Sequence, residues 1–147
     1  MESAGREKSS MSGKVFLDSN ILVYAQDAGS PDKQRRSREL ITRLADSGDG
    51  VISTQVMQEF FVSVTRKLGV TPLAAKAVLK TFAVFEIVTA GPELIHEAID
   101  CAILSAISFW DALILAAAAS AGCGVLLTED LNHGQMIMGV KVQNPLA

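Results

Sequence analysis

Four acidic side chains from separate segments of the chain could do chemistry if the fold brings them together: Asp18, Glu59, Asp111 and Asp130. Clustered like charges repel by roughly 1–4 kcal/mol per close pair near a surface, so a cluster of this kind needs raised pKa values or bound cations. Carboxylate oxygens without histidine or cysteine partners favour Mg²⁺ or Mn²⁺. One or two such ions would position a water, lower its pKa and neutralise the charge that develops on a phosphodiester.

Asp18 and Asp130 each follow a short apolar segment that we predict to be a buried strand. The segment before Asp18 is KVFL, and the segment before Asp130 is VLL followed by Thr128 and Glu129. Short apolar runs bounded by polar or glycine residues are typical of buried strands. If the sheet is parallel, both acids lie at its carboxyl edge, where ligands bind in open α/β sheets. The alternatives are a helix cap or Asx turn at Asp18 and a solvated loop acid at Asp130.

Asp111 and Glu59 fall on predicted helices. Asp111 precedes the apolar run 112–121, which is rich in alanine and leucine and is apolar on nearly every face, so this helix should be buried. Ser108 and Asp111 also fit a capping pattern, which is a purely structural alternative. Glu59 borders the apolar stripe of the helix predicted over residues 54–68, and the alternative there is an ordinary exposed glutamate.

Strands that alternate with helical segments predict a mostly parallel sheet flanked by helices. The expected strands cover residues 14–17, 51–52, 85–88, 125–127 and 141–143, the last of them as an edge strand. The expected helices cover residues 21–25, 31–46, 54–68, 72–82, 92–106 and 109–121. Two of them begin with a cap followed by proline, at Ser30-Pro31 and Thr71-Pro72, and Ser53 or Thr54 is expected to cap the helix over residues 54–68. We expect Trp110, beside the buried helix, to be part of the core, with stacking on a base as the alternative.

The 147 residues, 49% of them hydrophobic, suit one compact domain. We predict a flexible N-terminal tail over residues 1–13 and a folded domain over residues 14–147. No apolar run reaches the roughly 18 residues of a membrane helix, so we expect a soluble, cytoplasmic protein. Cys101 and Cys123 stand in apolar contexts and are predicted to be buried free thiols.

The net charge of −3 does not make the chain a basic nucleic-acid binder overall, although its cations are unevenly distributed. One group lies between residues 33 and 43 and another between residues 66 and 80. Each group is explained by a solvated helix face or by a rim of phosphate contacts around an acidic centre. The chain has no P-loop lysine, no GxSxG elbow and no HExxH motif.

Taken together, four segments resemble the PIN-domain family, of the VapC toxin kind. They are FLDSNILVYA, QEF within TQVMQEFFVSVTRK, SFWDALILAAA, and LLTEDLNHGQ followed by VKVQNP. The resemblance covers about residues 15–146. It implies an α/β/α sandwich of three layers with a central, mostly parallel sheet, and an Mg²⁺- or Mn²⁺-dependent ribonuclease. Members of the VapC kind pair with an antitoxin that blocks the site, and they usually dimerise.

The family's acidic positions match the four acids of this sequence, and its polar helpers match Asn20 and Thr128. We expect Asp18 and Asp111 to be the main metal ligands, with Asp130 completing the site and Glu59 holding a metal-bound water or acting as its base. Asn20, Ser108 and Thr128 would orient these carboxylates. Glu129 is the rival of Asp130, and His133 could touch RNA or simply belong to a turn.

The sequence therefore predicts a metal-dependent endoribonuclease, the toxin of a type II toxin–antitoxin pair, with RNA as substrate, an antitoxin as partner and a homodimer as its expected state. The alternative is a non-catalytic module that binds RNA or protein, in which the acids are caps and surface groups. A third possibility is metal-dependent cleavage of DNA.

Overall fold

The computed structural model describes residues 13–147, so the predicted tail lies outside the described residues except for Gly13. Six strands form one sheet, and their bounds are β1 Val15–Leu17, β2 Gly50–Ser53, β3 Glu86–Val88, β4 Val125–Leu127, β5 Met136–Ile137 and β6 Val140–Gln143. The α-helices are α1 Ser19–Tyr24, α2 Pro31–Ser47, α3 Thr54–Lys67, α4 Pro72–Thr81, α5 Pro92–Ser105 and α6 Phe109–Ser120. A short 3₁₀ turn, Phe82–Val84, connects α4 to β3.

The sheet has the strand order β3-β2-β1-β4-β6-β5, and every neighbouring pair is parallel except β5 with β6. The central strand β1 pairs with β2 on one side and with β4 on the other, in the register Phe16 to Val51 and Phe16 to Leu126. Helices cover this sheet, with α6 packed on β2, β4 and β6, and α2 and α3 packed on β2. The predicted α/β sandwich with a mostly parallel central sheet is confirmed.

The last strand is the main correction to the predicted sheet. Residues 141–143 were expected to form an edge strand, but β6 lies between β4 and β5, and β5 is the edge. Met138 and Gly139 join β5 to β6, with φ angles of 55° and 75°, and Ile137 pairs with Val140. Two central residues with positive φ define the tight hairpin turn whose twist matches that of the strands. Asparagine-glycine is the usual signal for this turn, and methionine-glycine is not, so the hairpin was missed.

The buried core is built around α6 and the central strands. All residues from Ala112 to Ala118 are buried, as expected for a helix that is apolar on every face. Phe16, Phe60 and Leu126 are fully buried with them. Cys101 and Cys123 are free and buried, which confirms the prediction, and burial raises the pKa of the Cys123 thiol to about 12.

The helix starts agree in part with the predicted caps. Ser53, Thr71 and Ser108 each accept a hydrogen bond from a backbone N–H in the first turn of α3, α4 and α6. Ser30 precedes Pro31 as expected, but its side chain makes no capping hydrogen bond. Within residues 13–147, no single helix is long and apolar enough to cross a membrane, and α5 and α6 pass such a test only as a pair bent by 117°.

Candidate active site

Asp18 occupies the point where the central strand β1 runs into α1. Its backbone N–H still bonds to the carbonyl of Leu127, which keeps it at the carboxyl end of two paired strands. Its side chain then caps α1, because Oδ1 accepts a 2.7 Å hydrogen bond from the Ser19 N–H. Oδ2 accepts a 2.8 Å hydrogen bond from the Thr128 hydroxyl, and the whole residue is only 5% exposed.

The Thr128 hydroxyl joins Asp18 to the loop after β4. It donates to Asp18 and accepts from the Asn20 amide at 3.2 Å and from the Asp130 N–H at 3.0 Å. One donor and two acceptor positions are all that a hydroxyl offers, so this group is fully used. The Asn20 amide also donates to Asp130 Oδ2 at 3.1 Å. The structure thus brings Asp18, Asn20, Thr128 and Asp130 into one hydrogen-bonded group.

Glu59 approaches from α3 and is linked to Asp18 through the residue between them. The Ser19 hydroxyl donates a 3.0 Å hydrogen bond to Glu59 Oε1, while the Ser19 N–H binds Asp18. Gln55 Nε2 donates a 3.0 Å hydrogen bond to the other oxygen of Glu59, Oε2. Ser19 and Gln55 were not recognised in the sequence, although Gln55 stands one helical turn before Glu59, a spacing at which side chains meet.

Asp111 lies in the first turn of α6, and the residue is half-buried. Ser108 caps this helix by accepting a 3.1 Å hydrogen bond from the Asp111 N–H, so Ser108 acts on the backbone and not on a carboxylate. Gln55 Nε2 donates to the carbonyl of Trp110 at 3.2 Å, which places the start of α6 beside Glu59. Within residues 13–147, no hydrogen bond joins the Asp111 carboxylate to the other three acids.

Burial is the largest influence on the ionisation of Asp18 and raises its pKa to about 7. The hydrogen bonds from Thr128 and Ser19 act in the opposite direction, and the negative charges of Glu59 and Asp130 raise the pKa further. Asp18 is therefore a carboxyl group whose ionised form needs a nearby positive charge.

Glu129 is directed away from Asp18. Its Oε1 accepts from the Tyr24 hydroxyl at 2.9 Å, and its Oε2 accepts from Lys33 Nζ at 2.8 Å. The Lys33 ammonium also lies 4.7 Å from the centre of the Tyr24 ring. Of the two neighbouring acids, Asp130 is the one that belongs to the group around Asp18.

The oxygen donors of this site fit a hard divalent cation in chemical type, since they are carboxylate oxygens near a buried carboxyl group. In the described part of the chain, however, no three histidine, cysteine, aspartate or glutamate side chains are arranged as a group that could hold a metal ion. Glu59 and Asp130 are each held by protein donors instead. Coordination would require at least one of them to turn toward Asp18.

Two clefts adjoin the acids and share Ser19, Ser63 and Asp130 in their linings. One, of about 430 Å³, is also lined by Gln58, Glu59 and Val62. The other, of about 410 Å³, reaches past Asp130 to Lys67 and Asp27. The two clefts follow α3 past Glu59 and Asp130, and the cation Lys67 lines the second of them. Asp18 and Asp111 are not part of either lining.

Trp110 and His133 were each given two alternative roles in the sequence analysis. Trp110 is 63% exposed, so its predicted place in the core is wrong. The buried part of α6 begins two residues later, at Ala112, and the Trp110 ring packs edge-on against Phe109 at 5.0 Å. His133 lies in a turn, where its Nδ1 accepts a hydrogen bond from the Asn144 N–H.

The profile of the PIN domain family matches residues 15–136, and the chain therefore belongs to that family. Its fold is similar to that of a toxin–antitoxin complex from Klebsiella pneumoniae, with a TM-score of 0.69, 17% identity, and coverage of 90% of this chain and 98% of that chain. It is also similar to DNA-bound VapBC from Salmonella typhimurium, with a TM-score of 0.66, 20% identity and the same coverages.

A third similar structure is VapC20 of Mycobacterium tuberculosis, a Sarcin-Ricin loop cleaving toxin. Its TM-score is 0.62, with 19% identity over 77% of this chain and 87% of that chain. At these identities the likenesses establish the fold. No curated protein sequence matches the chain.

Proposed function

We propose that this PIN-domain protein is an Mg²⁺- or Mn²⁺-dependent endoribonuclease. The observation that carries the proposal is the buried Asp18 carboxyl group, which is linked by Thr128 to Asp130 and by Ser19 to Glu59 at the carboxyl edge of a parallel sheet. An acid with its pKa raised to about 7 and two acidic neighbours has an incomplete charge balance that a divalent cation would complete. PIN-family membership supports the same reaction class.

In this proposal each acid has a role that follows from its position in the site. Asp18, Asp111 and Asp130 would hold the cation, and the chemistry available from it would be a lowered pKa for a water and compensation of negative charge on the phosphodiester. Glu59 lines the cleft that also contains Gln58 and Val62, and there it would accept a proton from the attacking water. Asn20 and Thr128 fix the orientation of Asp130 and Asp18 through the hydrogen bonds described above.

The decisive experiment measures cleavage of single-stranded RNA, of a Sarcin-Ricin loop hairpin and of matched DNA, with Mg²⁺, with Mn²⁺ and with a chelator. We expect RNA cleavage that needs the cation and is abolished by Asp18→Asn and by Asp111→Asn. Asp100→Asn is the matched control, because Asp100 is exposed on α5 and lines neither of the two clefts beside the acids. Persisting cleavage in either site variant contradicts the assignment. Cleavage of DNA but not of RNA would make DNA the substrate instead.

The competing function is a non-catalytic interaction module. It is favoured by the hydrogen bonds that hold Glu59 and Asp130 without a metal and by the absence, within residues 13–147, of a preformed ligand group. A module of this kind shows no thermal shift with Mn²⁺. A cation at a hundred times its Kd stabilises a folded protein by about 2.7 kcal/mol, so melting curves separate the two functions.

We further infer that the protein is the toxin of a type II toxin–antitoxin pair, acting in the cytoplasm through one PIN domain of residues 14–147. The similar folds in toxin–antitoxin complexes support an antitoxin partner. A small open reading frame just upstream that encodes a DNA-binding N-terminus would supply that partner. Growth arrest on expression, relieved by coexpression of the upstream product and by Asp18→Asn, is the expected result.

An exposed apolar side of α5 supports the predicted homodimer. Ile95, Ile99 and Ile103 recur every four residues and are 38%, 42% and 74% exposed. Solvent-facing isoleucines aligned on one helix are typical of an interface. Ile103→Asp should convert a dimer to a monomer in size-exclusion chromatography with light scattering, whereas the neighbouring change Asp100→Asn should not.

A further inference from the structure

Gln55 is buried at the junction of three elements of the site. It is the second residue of α3, directly after β2, and is only 5% exposed. Its side-chain nitrogen donates to two acceptors from different segments, the Glu59 carboxylate at 3.0 Å and the Trp110 carbonyl at 3.2 Å. One amide group therefore connects the acid on α3 to the first turn of α6.

The orientation of this amide is fixed by its neighbours. Exchanging its oxygen and nitrogen would turn the oxygen toward two acceptors, so only the observed orientation forms hydrogen bonds. Gln55 Oε1 is buried and has no hydrogen-bond partner within residues 13–147. A buried acceptor left without a donor lowers stability, so the side chain is not explained by stability alone.

The two hydrogen bonds donated by Gln55 bear on Glu59 and Asp111, the two acids that Thr128 does not connect to Asp18. Glu59 is held from both sides, by Gln55 on Oε2 and by Ser19 on Oε1. Trp110 immediately precedes Asp111, so the hydrogen bond to its carbonyl fixes the turn of α6 from which the Asp111 side chain extends.

We propose that Gln55 is a positioning residue, which sets the distance between the Glu59 carboxylate and the turn of α6 that carries Asp111, and through that distance the affinity of the site for a divalent cation. The inference rests on the proposed function, since it assumes that these acids bind a cation. Gln55 itself touches neither substrate nor cation in this assignment.

The test uses Mn²⁺ alone as the probe and needs no RNA. Trp110 is the one tryptophan of the sequence and adjoins Asp111, so quenching of its fluorescence by Mn²⁺ reports binding at this turn. Gln55→Met keeps the length of the side chain and removes both donated hydrogen bonds. We expect an apparent Mn²⁺ affinity about 10- to 100-fold weaker than in the unmodified chain, as is typical when a residue that orients metal ligands is lost.

Gln34→Met is the matched control. Gln34 also donates from a side-chain amide to a backbone carbonyl, that of Ala25, but it does so on α2. We expect its Mn²⁺ titration to coincide with that of the unmodified chain. Circular dichroism in chelator verifies that each variant is folded, and Gln55→Leu replaces Gln55→Met if the methionine variant does not fold.

A double-mutant cycle separates positioning from a general structural effect. If Gln55 acts mainly through Glu59, Gln55→Met should lose most of its effect on Mn²⁺ affinity in the Glu59→Ala background. An equal loss in both backgrounds overturns the inference, and so does an unchanged affinity in Gln55→Met or in Glu59→Ala. If the unmodified chain itself fails to bind Mn²⁺, it is the proposed function that fails.

Discussion

The Thr128 hydroxyl lies 2.8 Å from Asp18 Oδ2, although the two residues are 110 positions apart in the sequence. The parallel pairing of β1 with β4 produces this contact, since Leu17 and Leu127 stand opposite each other and the next polar residues leave the sheet together. The contact couples the most buried acid of the site to the loop that carries Asp130.

Replacing Thr128 by valine tests this coupling with little change in volume. Thr128→Val removes the donor to Asp18 and the acceptor for Asn20 and for the Asp130 N–H. We expect Mn²⁺ affinity and RNA cleavage to fall by about 10- to 100-fold, and the free energy of unfolding to fall by about 1–3 kcal/mol. Thr81→Val is the control, because the exposed Thr81 hydroxyl bonds only to the carbonyl of its own helix. Equal cleavage rates in Thr128→Val and the unmodified chain would exclude this role.

The raised pKa of Asp18 predicts how the metal-free stability depends on pH. Between its ordinary pKa of 3.8 and its folded value of about 7, Asp18 is protonated in the folded chain and ionised in the unfolded chain. Folding then takes up a proton, so the Asp18 contribution to stability is full below pH 3.8 and is lost as pH rises toward and through 7. The loss is on the order of a few kcal/mol.

Chemical denaturation in chelator across pH 5 to 8 measures this effect. Asp18→Asn cannot ionise, so it should flatten the profile over that range and be more stable than the unmodified chain at pH 8. A profile with the same slope in both proteins would assign the pH dependence to other groups.

Glu129 and Asp130 should differ sharply when each is changed to its amide. Asp130→Asn removes a charge from the group around Asp18, and its effect on cleavage should exceed the roughly 10- to 100-fold typical of a supporting residue. Glu129→Gln keeps an acceptor for Tyr24 and loses only the charge that faces Lys33, so cleavage should remain close to that of the unmodified chain. Single-turnover cleavage at saturating Mn²⁺ compares the two variants directly. The reverse order of activities would make Glu129 the site acid.

Gly50 is required by close packing between β2 and the residue before β3. A Cβ at this position would lie 2.5 Å and 2.7 Å from ring carbons of Phe85. Gly50→Ala should therefore lower the free energy of unfolding by about 1–3 kcal/mol, the usual cost of overpacking. Gly124→Ala is the control, because a Cβ there meets nothing within 4 Å. Thermal melting of the two variants gives the comparison, and equal melting temperatures would contradict it.

The sequence predicted those parts of the molecule that local pattern controls. The all-apolar run of α6 indicated a buried helix, and short apolar segments followed by Asp18 and by Thr128 indicated strands that end at a common edge. The caps at Ser53 and Ser108 were equally local. These features depend on the residues within a few positions of each other, which is what a single sequence displays.

The parts that were missed depend on distant or unusual contacts. Ser19 binds Glu59, which is 40 positions away, and Gln55 joins Glu59 on its own helix to Trp110, which is 55 positions away. Trp110 was assigned to the core because it stands beside a buried helix, whereas its ring is 63% exposed and the buried part of α6 starts only at Ala112. No pattern of composition encodes where a helix leaves the core.

The brevity of the outermost strands has a consequence for assembly. β5 contains two residues and β3 contains three. Each edge of the sheet therefore has only a few unpaired backbone N–H and C=O groups with which another polypeptide could pair. Natural proteins shorten such borders to prevent strand-by-strand growth into aggregates. Within residues 13–147 the borders of the sheet are therefore poor sites for pairing with a second copy, whereas the exposed isoleucines of α5 are side chains that single substitutions can alter.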